Sequence, residues 1–161
     1  MTTKVQVHIR RVRCEAFAAE ADATATMYLA SRRAMLPSLR NLHTDAAMGA
    51  WMRDTVFTRH SVRVAEVDGE IVGFASRDGS WLMNLYVKPG WTGHGIGTQL
   101  LRAMLANAAS STPMLRVCTF ARNEHARRFF EKRGFTSAGR GDGSANEEHE
   151  PELRYERSTR E

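Results

Sequence analysis

The stretch Val87-Lys88-Pro89-Gly90-Trp91-Thr92-Gly93-His94-Gly95-Ile96-Gly97-Thr98 joins two segments with different hydrophobic patterns. The apolar run Trp81–Val87 predicts a buried strand before it, and apolar residues at helical spacing predict an amphipathic helix after it. A helix N-terminus offers free N–H groups and a positive dipole end, which together attract anions. Glycine tolerates φ > 0 and lets a ligand approach the backbone closely, as we expect at Gly93, Gly95 and Gly97. The stretch therefore predicts a site for a ligand that carries phosphate.

The spacing of these glycines excludes two common phosphate loops. A dinucleotide loop needs Gly-x-Gly-x-x-Gly, but counting from Gly93 the third glycine position holds Thr98. A Walker loop ends in Gly-Lys-Ser/Thr, and no lysine follows Gly95 or Gly97. The alternative to a phosphate site is a glycine-rich strand-to-helix turn that binds no ligand.

A second segment, Asn123–Phe135, has the pattern of a short helix. Its side chains recur at intervals of three and four residues, at Ala126, Phe129, Phe130 and Arg133. Gly134 suits the left-handed position just past a helix C-terminus, and Asn123 suits the N-cap.

Both segments resemble motifs of the GNAT N-acetyltransferases. Residues 92–97 are similar to the family's pyrophosphate loop, Gln/Arg-x-x-Gly-x-Gly/Ala, and residues 123–135 to its pattern Asn-x-x-Ala-x-x-Phe-Tyr-Glu-x-x-Gly-Phe. Further matches occur in the family's order at residues 72–74, 85–87, 142–148 and 151–155, the last two resembling the C-terminal signature of one bacterial subgroup. The resemblance covers roughly residues 5 to 157.

The resemblance implies one mixed α/β (α+β) domain over residues 1–161. We expect a central mixed, mainly antiparallel twisted sheet of about six or seven strands, flanked by about four helices. The central strands Trp81–Val87 and Met114–Phe120 should splay apart. Residue patterns also predict strands at Val5–Val12, Val62–Val67, Glu70–Ser76 and Glu152–Glu156, a helix within Ala16–Met35 and a helix capped by Thr44. Residues 136–151 are predicted to be an acidic loop, and Cys118 a small buried hydrophobe.

The resemblance also implies acetyl-CoA as co-substrate. In the family, the pantetheine arm enters the splay and bonds to main-chain groups, here near Leu85 and Val87, and the N–H of Val87 would stabilise the oxyanion. The cofactor-binding residues implied are Leu85, Tyr86, Val87, Thr92, Gly93, His94, Gly95, Ile96, Gly97, Thr98, Asn123 and Phe130. No metal is expected, because Cys14 and Cys118 lack metal-ligand spacing.

Three residues depart from the family pattern. Thr92 replaces the Gln or Arg that begins the loop, so a side-chain phosphate contact is weakened to a hydroxyl. His94 occupies a position often held by Lys or Arg; it is either a phosphate donor when protonated or an exposed loop histidine. Phe130 stands where many members have the Tyr that protonates the departing thiolate, and a phenyl ring donates no proton. The Phe130 ring either faces the sulfur of the bound cofactor or is packed in the hydrophobic core.

No carboxylate lies on Trp81–Val87, where some relatives carry the general base. The base candidates are Glu147, Glu148, Asp78 and His43, each in a predicted loop. The residues expected to contact an amine acceptor are His43, Trp51, Asn146 and Glu147. A solvated charged loop is the alternative for the acidic residues.

Composition agrees with one soluble domain, as the resemblance implies. The formal net charge is +5, yet no run reaches five like charges, so we expect no nucleic-acid partner. No apolar stretch approaches ~20 residues, so we expect no membrane partner and a cytoplasmic location. The expected function is transfer of an acetyl group to a primary amine of a small molecule or peptide in a ternary complex, by a monomer or homodimer. The alternatives are an acyl-CoA-binding pseudoenzyme that acts as a regulatory binding module, and a basic nucleic-acid-binding protein.

Overall fold

Seven strands form one sheet in the computed structural model, which describes residues 5–37 and 42–160. The strands are β1 (His8–Arg10), β2 (Ser61–Val67), β3 (Glu70–Asp78), β4 (Trp81–Val87), β5 (Met114–Phe120), β6 (Thr136–Gly141) and β7 (Glu152–Ser158). Their order across the sheet is β1-β2-β3-β4-β5-β7-β6. Neighbours pair antiparallel except β4 and β5, which pair parallel. The sheet is therefore mixed and mainly antiparallel, as predicted.

Helices cover both faces of this sheet. They are α1 (Phe17–Met35), α2 (Asp45–Trp51), α3 (Phe57–Arg59), α4 (Ile96–Ala108) and α5 (Glu124–Lys132). A π-helical segment, Met52–Val56, joins α2 to the single turn of α3. Thr44 caps α2 as predicted, because its hydroxyl accepts the N–H of Ala47 at 3.1 Å.

The centre of the sheet is buried on both sides. On β3, Phe74 packs into an apolar cluster with α1 and α2, whereas Val72 and Ala75 pack into a second cluster with α4. All three side chains are fully buried. Burial of such side chains stabilises a fold by about 1.5–3 kcal/mol for each large apolar residue. The two clusters fix β4, which lies beside β3, at the middle of the sheet.

Four predictions about local structure are wrong. Residues 136–151 are not all loop, because Thr136–Gly141 forms β6 at a sheet edge, where exposed small and polar residues give no hydrophobic alternation. The first strand is only His8–Arg10, shorter than Val5–Val12. Cys118 is exposed rather than buried, because it lies on the face of β5 opposite to the buried side chains of Leu115, Val117 and Thr119. Asp78 ends β3 instead of lying in a loop.

Candidate functional site

A cleft opens in the middle of the sheet, between β4 and β5. The two strands pair only at Trp81 with Arg116 and at Leu82 with Val117. The next residue, Met83, is bulged out of the ladder with β3 and is half exposed. Beyond it, the strands separate, which confirms the predicted splay.

The splayed edge of β4 presents main-chain groups without a strand partner. Lys88 donates its N–H to the carbonyl of Val72 on β3 at 2.7 Å. Hydrogen-bonded and non-hydrogen-bonded pairs alternate along an antiparallel ladder, so Tyr86 also bonds toward β3. The N–H and C=O groups of Leu85 and Val87 therefore point away from β3, toward the cleft.

The cleft has the size of a ligand site. Its volume is about 910 Å³, within the range of small-molecule and cofactor pockets. Thr119 of β5 lines it, and the Thr119 hydroxyl is buried with no hydrogen-bond partner among the described residues. Buried polar groups are normally paired, so this hydroxyl is available to a bound molecule.

The glycine loop closes one end of the cleft. Gly93 and Gly95 have φ of +80° and +78°, as expected, and Gly95 is the N-cap of α4. Gly97 does not have a positive φ and lies in the first turn of α4. A Cβ atom at Gly97 would stand 3.1 Å from the Phe129 ring, so this glycine permits contact between α4 and α5. The tolerance of glycine for positive φ is thus used at Gly93 and Gly95 but not at Gly97.

Some side chains of the glycine loop line the cleft, and others bond to neighbouring protein groups. Thr92 and Ile96 line the cleft, whereas the His94 ring turns back and its Nδ1 lies 3.0 Å from the Thr92 carbonyl. The Thr98 hydroxyl accepts hydrogen bonds from Nη2 and Nε of Arg133, at 2.7 and 3.0 Å. Arg133 also stacks on Phe129 and lines the cleft, a position that the sequence pattern did not reveal as functional.

Asn123 and Phe130 come to the same cleft from α5 and the turn before it. The Asn123 side chain accepts the N–H of Ala126 at 3.1 Å and so caps the helix. Phe130 is 5% exposed and packs edge-on against Phe129 and Phe135, with ring centroids 5.2 and 5.1 Å away. The ring thus belongs to the core and borders the cleft at once.

The opposite wall of the cleft is aromatic and carries an ion pair. The rings of Tyr28 and Tyr86 meet edge-on at 4.7 Å, and Trp51 lies 5.5 Å from Tyr28. Burial raises the pKa of the Tyr86 phenol above its usual range. Arg32 Nη2 donates to Glu148 Oε1 at 2.6 Å. This wall brings α1, α2 and the segment before β7 together.

Most of the other residues predicted to contact the acceptor or to act as the base lie outside the cleft lining. His43 Nε2 lies 2.7 Å from Glu147 Oε2, and both side chains are exposed outside the cleft lining. Asn146 borders the cleft, but its amide bonds to the backbone of Glu150 at 2.8 and 3.1 Å. Asp78 lies away from the cleft lining. Among the predicted base candidates, the structure places only Glu148 in the wall of the cleft.

Two other classes of site receive no support within residues 5–37 and 42–160. No group of three or more His, Cys, Asp or Glu side chains is placed to hold a metal ion. None of the described helices has both the length and the apolar character needed to cross a bilayer.

The family assignment follows from this geometry and from sequence comparison. The family profile described as the acetyltransferase (GNAT) domain matches residues 58–137, which contain β3, β4, the glycine loop, α4, β5 and α5. The chain belongs to the GNAT acetyltransferase family, whose general activity is acetyl transfer from acetyl-CoA. No curated protein matches the chain by sequence.

Solved structures with this fold include three that cover nearly the whole chain. A GCN5-related N-acetyltransferase from Rhodopseudomonas palustris is 25% identical, with a TM-score of 0.74 over 98% of this chain and 99% of its own. A ribosomal-protein-alanine N-acetyltransferase from Brucella melitensis is 21% identical, with a TM-score of 0.74 over 94% and 99%. The PaiA N-acetyltransferase from Thermoplasma acidophilum, in complex with coenzyme A, is 16% identical, with a TM-score of 0.66 over 95% and 99%.

Proposed function

We propose that this protein transfers an acetyl group from acetyl-CoA to a primary amine of a small molecule or peptide, by direct attack in a ternary complex. The observation that carries the proposal is that one cleft contains both a main-chain edge and an anion site. The unpaired main-chain groups of Leu85 and Val87 lie along it, and the glycine loop at the N-terminus of α4 closes its end.

The residues of the cleft suit the parts of acetyl-CoA. The pyrophosphate would lie on the loop of residues 92–98, where free N–H groups and the helix dipole favour negative charge. The amide groups of the pantetheine arm would bond to Leu85 and Val87, and the Thr119 hydroxyl offers one more polar partner. Asn123 and Phe130 would border the arm. A neighbour in the fold, PaiA, was solved in complex with coenzyme A, which supports this assignment.

The reaction needs little chemistry from side chains. The amine nitrogen attacks the thioester carbon, a C–N bond forms, the C–S bond breaks, and coenzyme A leaves as its thiolate. The N–H of Val87 would stabilise the oxyanion, a contribution of about 3 kcal/mol. Holding amine and thioester together contributes about 7–11 kcal/mol more.

The ammonium acceptor loses two protons during this reaction, and the departing thiolate gains one. The ammonium form of the acceptor loses one before attack, because an amine of pKa near 10 is less than ~1% neutral at pH 7. Glu148 and Glu147 are our candidates to accept it, and Glu148 has the better position because it lines the cleft. The amine loses the other to water as the amide forms, and water in turn supplies one proton to the thiolate, since Phe130 has none to donate. We also propose that residues 1–161 act as one cytoplasmic domain, as a monomer or homodimer, without nucleic-acid or membrane partners.

An assay of coenzyme A release tests the proposal. The protein is incubated with acetyl-CoA and a panel of amines, amino acids, peptides and aminoglycosides, and the mass of each acceptor is measured by mass spectrometry. We expect release of coenzyme A together with a gain of one acetyl group on at least one acceptor. Tight binding of acetyl-CoA without release would identify a pseudoenzyme, and absence of binding would contradict the assignment of the cleft.

A further inference from the structure

An ion pair is built into the wall of the cleft where an acceptor would lie. Arg32 on α1 bonds to Glu148, and both side chains line the cleft with 25% and 15% of their surface exposed. Arg32 Nη1 also donates to the Tyr28 hydroxyl at 2.8 Å. Although burial opposes the charge, the hydrogen bond to Glu148 holds the pKa of Arg32 above its usual range. Two hydrogen bonds therefore hold the Arg32 guanidinium in place beside Glu148.

Both members of the pair keep capacity for a ligand. A guanidinium has five N–H donors and a carboxylate has about four acceptor positions. The two bonds of Arg32 use two donors, and Glu148 accepts one of them. Both side chains line the cleft, and among the described residues neither has an atom that is buried without a partner.

We propose that the acceptor is amphoteric: one small molecule that carries both the reacting amine and a carboxylate, as a free amino acid does. The carboxylate would bind Arg32, whose planar fork matches two oxygens, and the amino group would lie beside Glu148. A simple cation would face the charge of Arg32, and a simple anion would face that of Glu148. Only a molecule with both charges complements both groups, so that each of these partly buried charges has a partner in the complex.

The position of the pair agrees with the reaction proposed above, on which this inference rests. Tyr28 bonds to Arg32, and its ring touches Tyr86, the residue before Val87. A molecule held by the pair would therefore lie beside the main-chain N–H proposed to stabilise the oxyanion. Trp51 adds an aromatic surface for the rest of the acceptor.

Matched acceptors test the charge requirement. Phenylalanine, phenylalaninamide and phenethylamine share one ring and one amine and differ only in the carboxylate; leucine, leucinamide and isopentylamine form a second series. We expect kcat/KM with acetyl-CoA to be at least about tenfold higher for each amino acid than for its amide or parent amine, as expected from loss of a charged hydrogen bond. Arg32→Gln should bring this ratio close to one. Arg33→Gln, on the same helix but paired with Asp45 outside the cleft, is the matched control and should keep the ratio.

Calorimetry separates this inference from the proposed function. The same six compounds are titrated into the protein saturated with coenzyme A, in wild type, Arg32→Gln and Arg33→Gln. Preferential binding of the amino acids that is lost only in Arg32→Gln supports the inference even if no acceptor turns over, a result that would contradict only the proposed function. Equal binding and equal kcat/KM for acids, amides and amines would overturn the inference while leaving acetyl transfer intact.

Discussion

Gly97 on α4 lies directly against Phe129 on α5, such that a Cβ atom on Gly97 would stand 3.1 Å from Cε2 of the ring. Arg133 stacks on the same ring, with its guanidinium carbon 3.8 Å from the ring centroid. Arg133 in turn bonds to Thr98, one residue after Gly97. The glycine loop and α5 therefore form one packed unit at the end of the cleft.

Gly97→Ala should lower the free energy of unfolding by about 1 kcal/mol, because the methyl group overpacks the contact with Phe129. Urea unfolding measures the change. In a Phe129→Leu background the same substitution should become neutral or stabilising, since alanine is favoured over glycine within a helix by about 1 kcal/mol. Identical effects in both backgrounds would show that the Phe129 ring does not select glycine here.

Gly95 offers a matched pair of variants for the anion site. Its Cβ would meet nothing within 4 Å, and its φ of +78° is one that Asn and Asp tolerate better than other residues. Gly95→Asp and Gly95→Asn have almost the same shape and differ in charge. We expect Gly95→Asp to bind acetyl-CoA at least about tenfold more weakly than Gly95→Asn in calorimetry, because a carboxylate would face the pyrophosphate. Equal affinities would place the pyrophosphate elsewhere.

Phe130→Tyr restores the hydroxyl that many relatives have. Because the Phe130 ring borders the cleft, the new group should reach the leaving sulfur and raise turnover, by up to the ~10²-fold of a positioned general acid. The gain should fade above pH ~8.5, where a free thiolate leaves unassisted. Stability is measured on the same protein. A loss of about 1–3 kcal/mol with no gain in rate would show that the hydroxyl is buried without a partner.

The ion pair between Arg10 and Glu20 makes stability depend on pH. Arg10 bonds to Glu20 at 2.5 Å and to Glu66 at 2.7 Å, and the bond from Arg10 lowers the pKa of Glu20 below 4.5, although burial opposes it. A lowered pKa in the folded state stabilises the fold above the unfolded pKa and ceases to do so as pH falls through the folded value. Glu20→Gln should therefore lower the free energy of unfolding by about 1–3 kcal/mol at pH 7, since Arg10 keeps its bond to Glu66.

The same comparison at lower pH provides the check on Glu20. The stability difference between wild type and Glu20→Gln should shrink steadily in urea titrations below pH 4.5, because Glu20 becomes protonated in the wild type as well. A difference that stays constant from pH 7 to acid would mean that the charge of Glu20 does not stabilise the fold.

Much of this fold could be predicted from sequence, because its central strands are long apolar runs. The bounds of β4 and β5 agree with the predicted strands, and Thr44 caps its helix as its residue type suggests. The edge strand β6 could not be predicted, because small and polar residues on an exposed edge need no periodic pattern. A hydrophobic pattern arises where side chains are buried, and few side chains of β6 are buried.

The candidate site was predictable only where local motifs define it. The glycine loop and Asn123 were recognisable because backbone geometry at a helix start selects these residue types. The pair of Arg32 and Glu148 joins residues 116 positions apart, and Arg133 reaches Thr98 across 35 positions. Such contacts depend on how helices and loops pack, so no local pattern indicates them.

Amide hydrogen exchange tests most directly whether the acetyl donor, acetyl-CoA, binds between β4 and β5. Exchange of the Leu85 and Val87 amides is measured by NMR with and without saturating coenzyme A, and the Tyr86 amide, which bonds toward β3, is the internal control. We predict that Leu85 and Val87 exchange quickly in the free protein and become protected in the complex, while Tyr86 is protected in both. A saturated complex in which the Leu85 and Val87 amides exchange as fast as before would contradict the account.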